Sequence, residues 1–228
     1  MNRPNHKRLL AAAYLVALVL WLVHGAGALL QKAWYTGRGL APSLTLSADE
    51  LEFVSMRPYL VDYDPEDQMW VSSDSDPQIH WNQMVWVDTV VLDVRQQRPT
   101  GNVELYYKQP GQQDFDTRQV IYPTKDDQGR YVFDLRGKWV DRLRIDPDSV
   151  GGVLTEFRGV QINPPRPWYR YFVPSAGQWL LMLLLPLAVS ALLIELDQLL
   201  NITQRLQKTA AGRKKQSQHK ARPHRKKK

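Results

Sequence analysis

Residues 85–108 read VWVDTVVLDVRQQRPTGNVELYYK. An apolar run of β-branched residues, Val85–Val94, is followed by the turn cluster Arg98-Pro99-Thr100-Gly101 and then by a second apolar and aromatic run, Val103–Lys108. Short runs of valine, leucine and tyrosine bounded by proline and glycine are strand signals, and neither run is long enough for a typical helix.

The same grammar extends outward on both sides. Upstream, the expected strands are Leu44–Phe53, Gln68–Val71 and Gln78–Trp81; downstream they are Arg118–Tyr122, Tyr131–Leu135, Val140–Ile145 and Phe157–Ile162. Turn clusters separate them, among them Asp62-Tyr63-Asp64-Pro65, Ser72–Pro77, Gln109-Pro110-Gly111, Asp126–Gly129 and Gly151-Gly152. Many short strands at this spacing predict a mainly β fold, an antiparallel sandwich of jelly-roll type. Residues 164–170, PPRPWYR, read as a stiff spacer.

This β-rich stretch, residues 31–175, lies between two apolar segments. Residues 9–30, LLAAAYLVALVLWLVHGAGALL, contain no Asp, Glu, Lys or Arg. As a helix they would measure about 33 Å, enough to cross a hydrocarbon core of about 30 Å. A cleaved signal peptide competes, with Ala26-Gly27-Ala28 as its cleavage site, but the apolar stretch is long for one and continues through Leu29 and Leu30. The second segment, residues 176–195, carries an aromatic belt just before it (Trp168, Tyr169, Tyr171, Phe172) and Pro186 inside it. The expectation is two transmembrane helices flanking one domain.

Charge sets the orientation. Residues 1–8 hold Arg3, Lys7 and Arg8 and no acid; residues 196–228, a continuing helix and basic tail, hold Arg213, Lys214 and Lys215 and a run of arginine and lysine at the end. By the positive-inside rule both termini are cytoplasmic. The chain is then an inner-membrane protein whose middle lies outside the cytoplasm, in the periplasm if the envelope has one. The net charge of +7 belongs to the tails: residues 31–175 hold 16 basic and 21 acidic side chains. The bilayer is the expected partner of Arg213, Lys214 and Lys215, in preference to nucleic acid. With no cysteine, disulfides and thiolate chemistry are excluded.

Residues 90–120, VVLDVRQQRPTGNVELYYKQPGQQDFDTRQV, and residues 130–162, RYVFDLRGKWVDRLRIDPDSVGGVLTEFRGVQI, resemble the galactose-binding-like β-sandwich modules carried by bacterial membrane proteins of surface-polysaccharide biosynthesis. The telling pieces are Val103–Tyr107, Leu143–Pro147 and Gly151-Gly152. The resemblance implies a glycan-associated β-sandwich. Such modules usually accompany a catalytic or many-span region, so it implies an accessory role beside a membrane glycosyltransferase or polysaccharide-export subunit.

Candidate residues follow from chemistry. Trp70, Trp81 and Trp86 crowd one short segment, and exposed indole faces stack on pyranose rings while neighbours such as Asn82 and Gln83 bond to hydroxyls. The simpler alternative is that these rings form the core. Asp62, Asp64, Glu66 and Asp67 cluster oxygen ligands of the kind that hold a structural Ca²⁺, against the alternative of solvated turn acids. No other cofactor is indicated. His80 is the sole histidine of residues 31–175, and no G-x-S-x-G or phosphate-binding glycine loop occurs. The expectation is a non-enzyme. A glycan-processing enzyme using acidic residues and a purely structural envelope factor are the alternatives.

Overall fold

The computed structural model describes residues 6–59, 68–98 and 101–220, with backbone only for residues 176, 201 and 204–220. The chain divides into two units, Ala26–Tyr171 and the helical remainder.

The unit Ala26–Tyr171 contains twelve strands among the described residues: β1 (Leu44–Leu46), β2 (Glu52–Val54), β3 (Met56–Pro58), β4 (Met69–Ser72), β5 (Gln78–Trp81), β6 (Val85–Gln96), β7 (Glu104–Lys108), β8 (Val120–Ile121), β9 (Thr124–Lys125), β10 (Tyr131–Val140), β11 (Arg142–Asp146) and β12 (Leu154–Ile162). They form two antiparallel sheets. One runs β3-β4-β12-β6-β10-β9 with β1 also on β12, the other β2-β5-β11-β7-β8. Within them, β4-β12-β6-β10 faces β5-β11-β7-β8, and the chain alternates between these quartets as a jelly roll does.

The core lies between the sheets. Val87, Val90, Leu92, Phe133 and Leu135 come from one, Ile79, Leu105, Leu143 and Ile145 from the other, all essentially inaccessible. Each such side chain contributes on the order of 1.5–3 kcal/mol on burial.

The sequence expectations mostly match, with instructive departures. The expected strand Leu44–Phe53 is two strands, because Ser47 and Glu50 form a capping box around a one-turn 3₁₀ helix, Ala48–Glu50. Two strands were not expected, β3, which follows Ser55 in a left-handed conformation at φ 56°, and the two-residue β9. Residues 168–172 coil into a short 3₁₀ turn where a stiff spacer was expected.

Two bulges reshape the long strands. On β10, Leu135–Gly137 stand opposite Asp88 alone, between the pairs Asp134↔Thr89 and Lys138↔Val87. Gly137 has φ +73°, and a Cβ there would lie 2.5 Å from the Trp86 ring. On β12, Arg158 is the extra residue between the pairs Phe157↔Val94 and Gly159↔Asp93.

One end of β6 holds a buried polar cluster. Lys32 Nζ lies 3.3 Å from Asp88 Oδ2, and the Tyr171 hydroxyl donates to the same oxygen. The Asn163 amide accepts from Asp88 N at 2.7 Å and donates to the carbonyl of Trp86. Asp88 is 4% exposed, so these partners answer for a charge that would otherwise be costly to bury.

The helical unit contains most of α1 (His6–Gly37), whose last residues from Ala26 on belong to the sandwich unit, and α2 (Ala176–Lys220). Both helices are long and apolar enough to cross a membrane. Leu20, Val23, Leu181 and Leu192 are each more than 60% exposed, an arrangement that suits an apolar surrounding. Within this unit the Tyr14 hydroxyl donates to the carbonyl of Leu183, and the Trp21 and Phe172 rings meet edge to face.

Candidate binding groove

The expected tryptophan platform is overturned. Trp81 is 7% exposed and Trp86 2%, so neither offers a face to a sugar. Trp81 belongs to the inter-sheet core. Trp86 lies in a pocket made by Tyr35, whose ring is 5.2 Å away, and by the glycine of the β10 bulge. Trp70 is half-buried and stacked on Phe53 at 3.8 Å. Asn82 and Gln83 are exposed, and Asn82 accepts a hydrogen bond from Arg142.

Asp62, Asp64, Glu66 and Asp67 lie outside the described residues, as do the side chains of Arg213, Lys214 and Lys215. Among the described residues no group of three or more His, Cys, Asp or Glu is placed to hold a metal ion. Several other acidic side chains are held by local bonds. Asp74 accepts from Ser55 and from Asp76 N, Asp116 is paired with Arg118, and Asp148 accepts from the amides of Gly101 and Ser149.

The outer face of the five-stranded sheet aligns Glu52, His80, Arg144 and Tyr106 in one cross-strand row. Most of the polar groups in this row are engaged by neighbouring side chains. Arg144 forks onto Asp146 with two bonds of 2.7 Å and also reaches Asp76. Desolvation raises the Asp146 carboxyl above its ordinary range, despite that pairing. The Tyr106 hydroxyl donates to Glu104, which pushes its pKa up to about 12. His80 Nε2 bonds Gln78 at 2.7 Å, its ring meets Phe115 edge to face, and Nδ1 is buried without a partner. Burial, with the charge of Arg142, holds its pKa below the ordinary histidine value.

A groove of about 990 Å³ opens at the other end of β6 from Asp88. At about 3.3 Å per residue, Arg95 is about 23 Å along the strand from Asp88. The crossovers β6–β7 and β8–β9 wall it, and sequence reasoning missed it. Its rings are Tyr122, 62% exposed, and Tyr131. Its amides are Gln96, Gln97, Asn102 and Gln128. Its cations are Arg95, Arg98, Lys125 and Arg158, against one carboxylate, Asp93, among the described lining residues.

Local chemistry fixes these walls. The bulge in β12 inserts Arg158, and bulges re-aim side chains in this way. Arg158 Nε bonds Glu156 at 2.7 Å, Arg98 donates to the carbonyl of Gly151, and Lys125 lies 4.7 Å from the Tyr131 ring centre. Gly101 packs against the Ser149 side chain, which a Cβ there would displace, and its amide donates to Asp148. A glycine inside the strand Phe157–Ile162 was the signal in the sequence for the bulge.

No family model and no curated protein matches the chain. Similar solved structures include a low-affinity xylan-binding module from Roseburia intestinalis, at 18% identity over 54% of this chain and 95% of that one, with a TM-score of 0.36. A fucose-binding module from Streptococcus pneumoniae is 13% identical over 51% of this chain and 94% of that one, with a TM-score of 0.38. A CBM35 module from Paenibacillus barcinonensis is 12% identical over 54% of this chain and 99% of that one, with a TM-score of 0.31. The fold rests on the strand pairings above.

Proposed function

We propose that this chain is a membrane-anchored, non-catalytic glycan-recognition protein whose sandwich binds sugar in the groove at the Arg95 end of β6. The observation that carries the reading is the chemistry of that groove: an exposed ring, Tyr122, set among amides and charged donors. A ring face takes the C–H face of a pyranose, and convergent polar groups take its hydroxyls.

The non-catalytic reading is supported by the same lining. Its described residues are mainly amides and cations, which suit holding the hydroxyls of a sugar. The membrane anchor is supported by two apolar helices of spanning length and by basic residues at both ends of the chain. A protein that holds glycan without processing it works beside one that makes or moves it. We therefore extend the reading to an accessory subunit of surface-polysaccharide synthesis or export, partnered by a membrane glycosyltransferase or an export subunit.

Titration calorimetry of the full chain in detergent against a panel of bacterial surface oligosaccharides tests the proposal. Binding weakened on the order of tenfold by Tyr122→Ala, with unfolding temperature unchanged, supports it. Silence across the panel overturns it.

A further inference from the structure

Within the glycan reading, on which this rests, we infer that the ligand of the groove is an acidic glycan, one carrying carboxylate, sulfate or phosphate groups. The sandwich stretch, residues 31–175, holds 21 acidic side chains against 16 basic, yet its groove has the opposite sign. Arg95, Arg98, Lys125 and Arg158 line it, and Asp93 is the opposing carboxylate. Glu156 stands beside the lining, bonded to Arg158 and in register with Arg95. Counted with the acids bonded to lining residues, Glu156, Asp148 and Asp126, and with Arg130, which pairs with Asp126, the described residues there hold five cations against four carboxylates, and the lining cations face the opening.

These cations are placed where an anion could reach them. Arg95, Arg98, Lys125 and Arg158 are all exposed. They come from four separate segments, the end of β6, the β6–β7 crossover, β9 and the bulge of β12, so the charge is gathered by the fold. Guanidinium forks suit planar carboxylates and phosphates, to which they make paired charge-assisted hydrogen bonds.

The test compares oligosaccharides of equal length, neutral galactan against galacturonan, binding the full chain in detergent by calorimetry. The acidic oligomer should bind at least tenfold more tightly at low salt, and the margin should shrink at high salt as screening lengths shorten. The double variant Arg95→Gln with Lys125→Gln should erase most of the margin. Arg118→Gln, an exposed cation outside the groove, should keep it and so control for general loss of charge. Circular dichroism and unfolding temperature check that each variant is folded.

Equal affinity for the two oligomers overturns the inference and leaves glycan recognition standing. A margin that survives the double variant places acidic binding elsewhere, in the basic tail for instance, and also overturns it. No binding of either oligomer, nor of any other sugar in the panel, removes the glycan reading itself.

Discussion

The hydroxyl of Tyr171 donates to Asp88 at 2.7 Å, joining the segment just before α2 to the start of β6. Lys32, from the end of α1, converges on the same carboxylate oxygen. Asp88→Ala would strand the Lys32 ammonium, whose side chain is 17% exposed, and should cost about 3–5 kcal/mol. Tyr171→Phe removes one hydrogen bond and should cost about 1–2 kcal/mol. Chemical unfolding of the full chain in detergent checks both. Losses of equal size would show that the Lys32 pairing has no weight of its own.

Gly137 is the second structural test. Its φ of +73° is strained for any side chain, and its missing Cβ makes room for Trp86. Gly137→Ala should destabilise by about 2–4 kcal/mol, combining overpacking with left-handed strain. An unfolding midpoint within error of the parent would mean that the bulge relaxes without cost.

Tryptophan and tyrosine should behave oppositely. Trp86→Ala opens a cavity under Tyr35 and should cost about 3–5 kcal/mol. Tyr122→Ala, at an exposed position, should change stability by less than about 0.5 kcal/mol while weakening glycan binding. Paired unfolding and binding curves decide the matter; a large stability loss at Tyr122 would make that ring structural.

Acid should loosen the sandwich through His80. Its pKa is below the usual 6.5, because burial disfavours the imidazolium and Arg142 repels it, while Glu52 and Asp76 act in the other direction. The folded chain therefore binds this proton less tightly than the unfolded chain. Stability present above pH 6.5 is lost as the pH falls through that value toward the lowered folded one. The unfolding temperature should drop between pH 7.5 and 5.5, and His80→Gln should flatten that slope. An identical slope in the variant would assign the effect to other groups.

Topology has a direct readout. A reporter fused after Pro164 should be active outside the cytoplasm and one after Lys228 inside, the orientation that the positive-inside bias of the basic ends predicts. A Pro164 fusion active in the cytoplasm alone would reverse the orientation.

The strands were readable where pattern and boundary coincide. Gln78–Trp81 is predicted and observed with the same ends, because Pro77 and Asn82 bracket it. Which face a tryptophan takes was not readable, since a one-residue change of register moves a side chain from core to solvent. Trp86 shows the difficulty: it is covered by Tyr35, about fifty residues earlier, and by Gly137, about fifty later. The groove was hidden for a similar reason. Arg95, Tyr122, Lys125 and Arg158 are each ordinary surface residues in sequence, and only the jelly-roll crossovers bring them together.

The pairing of Leu44 with Ile162 has a mechanical consequence. The strand by which the chain enters the sandwich and the strand by which it leaves are antiparallel neighbours, and those two residues sit side by side. Tension drawing the entry and exit apart would therefore act across the strands and load one residue pair at a time, as in unzipping. Three pairs, Leu44↔Ile162, Thr45↔Gln161 and Leu46↔Val160, form that seam. A pull on the two tethers in opposite directions loads that seam pair by pair, whereas a pull on both in the same direction leaves the seam unloaded.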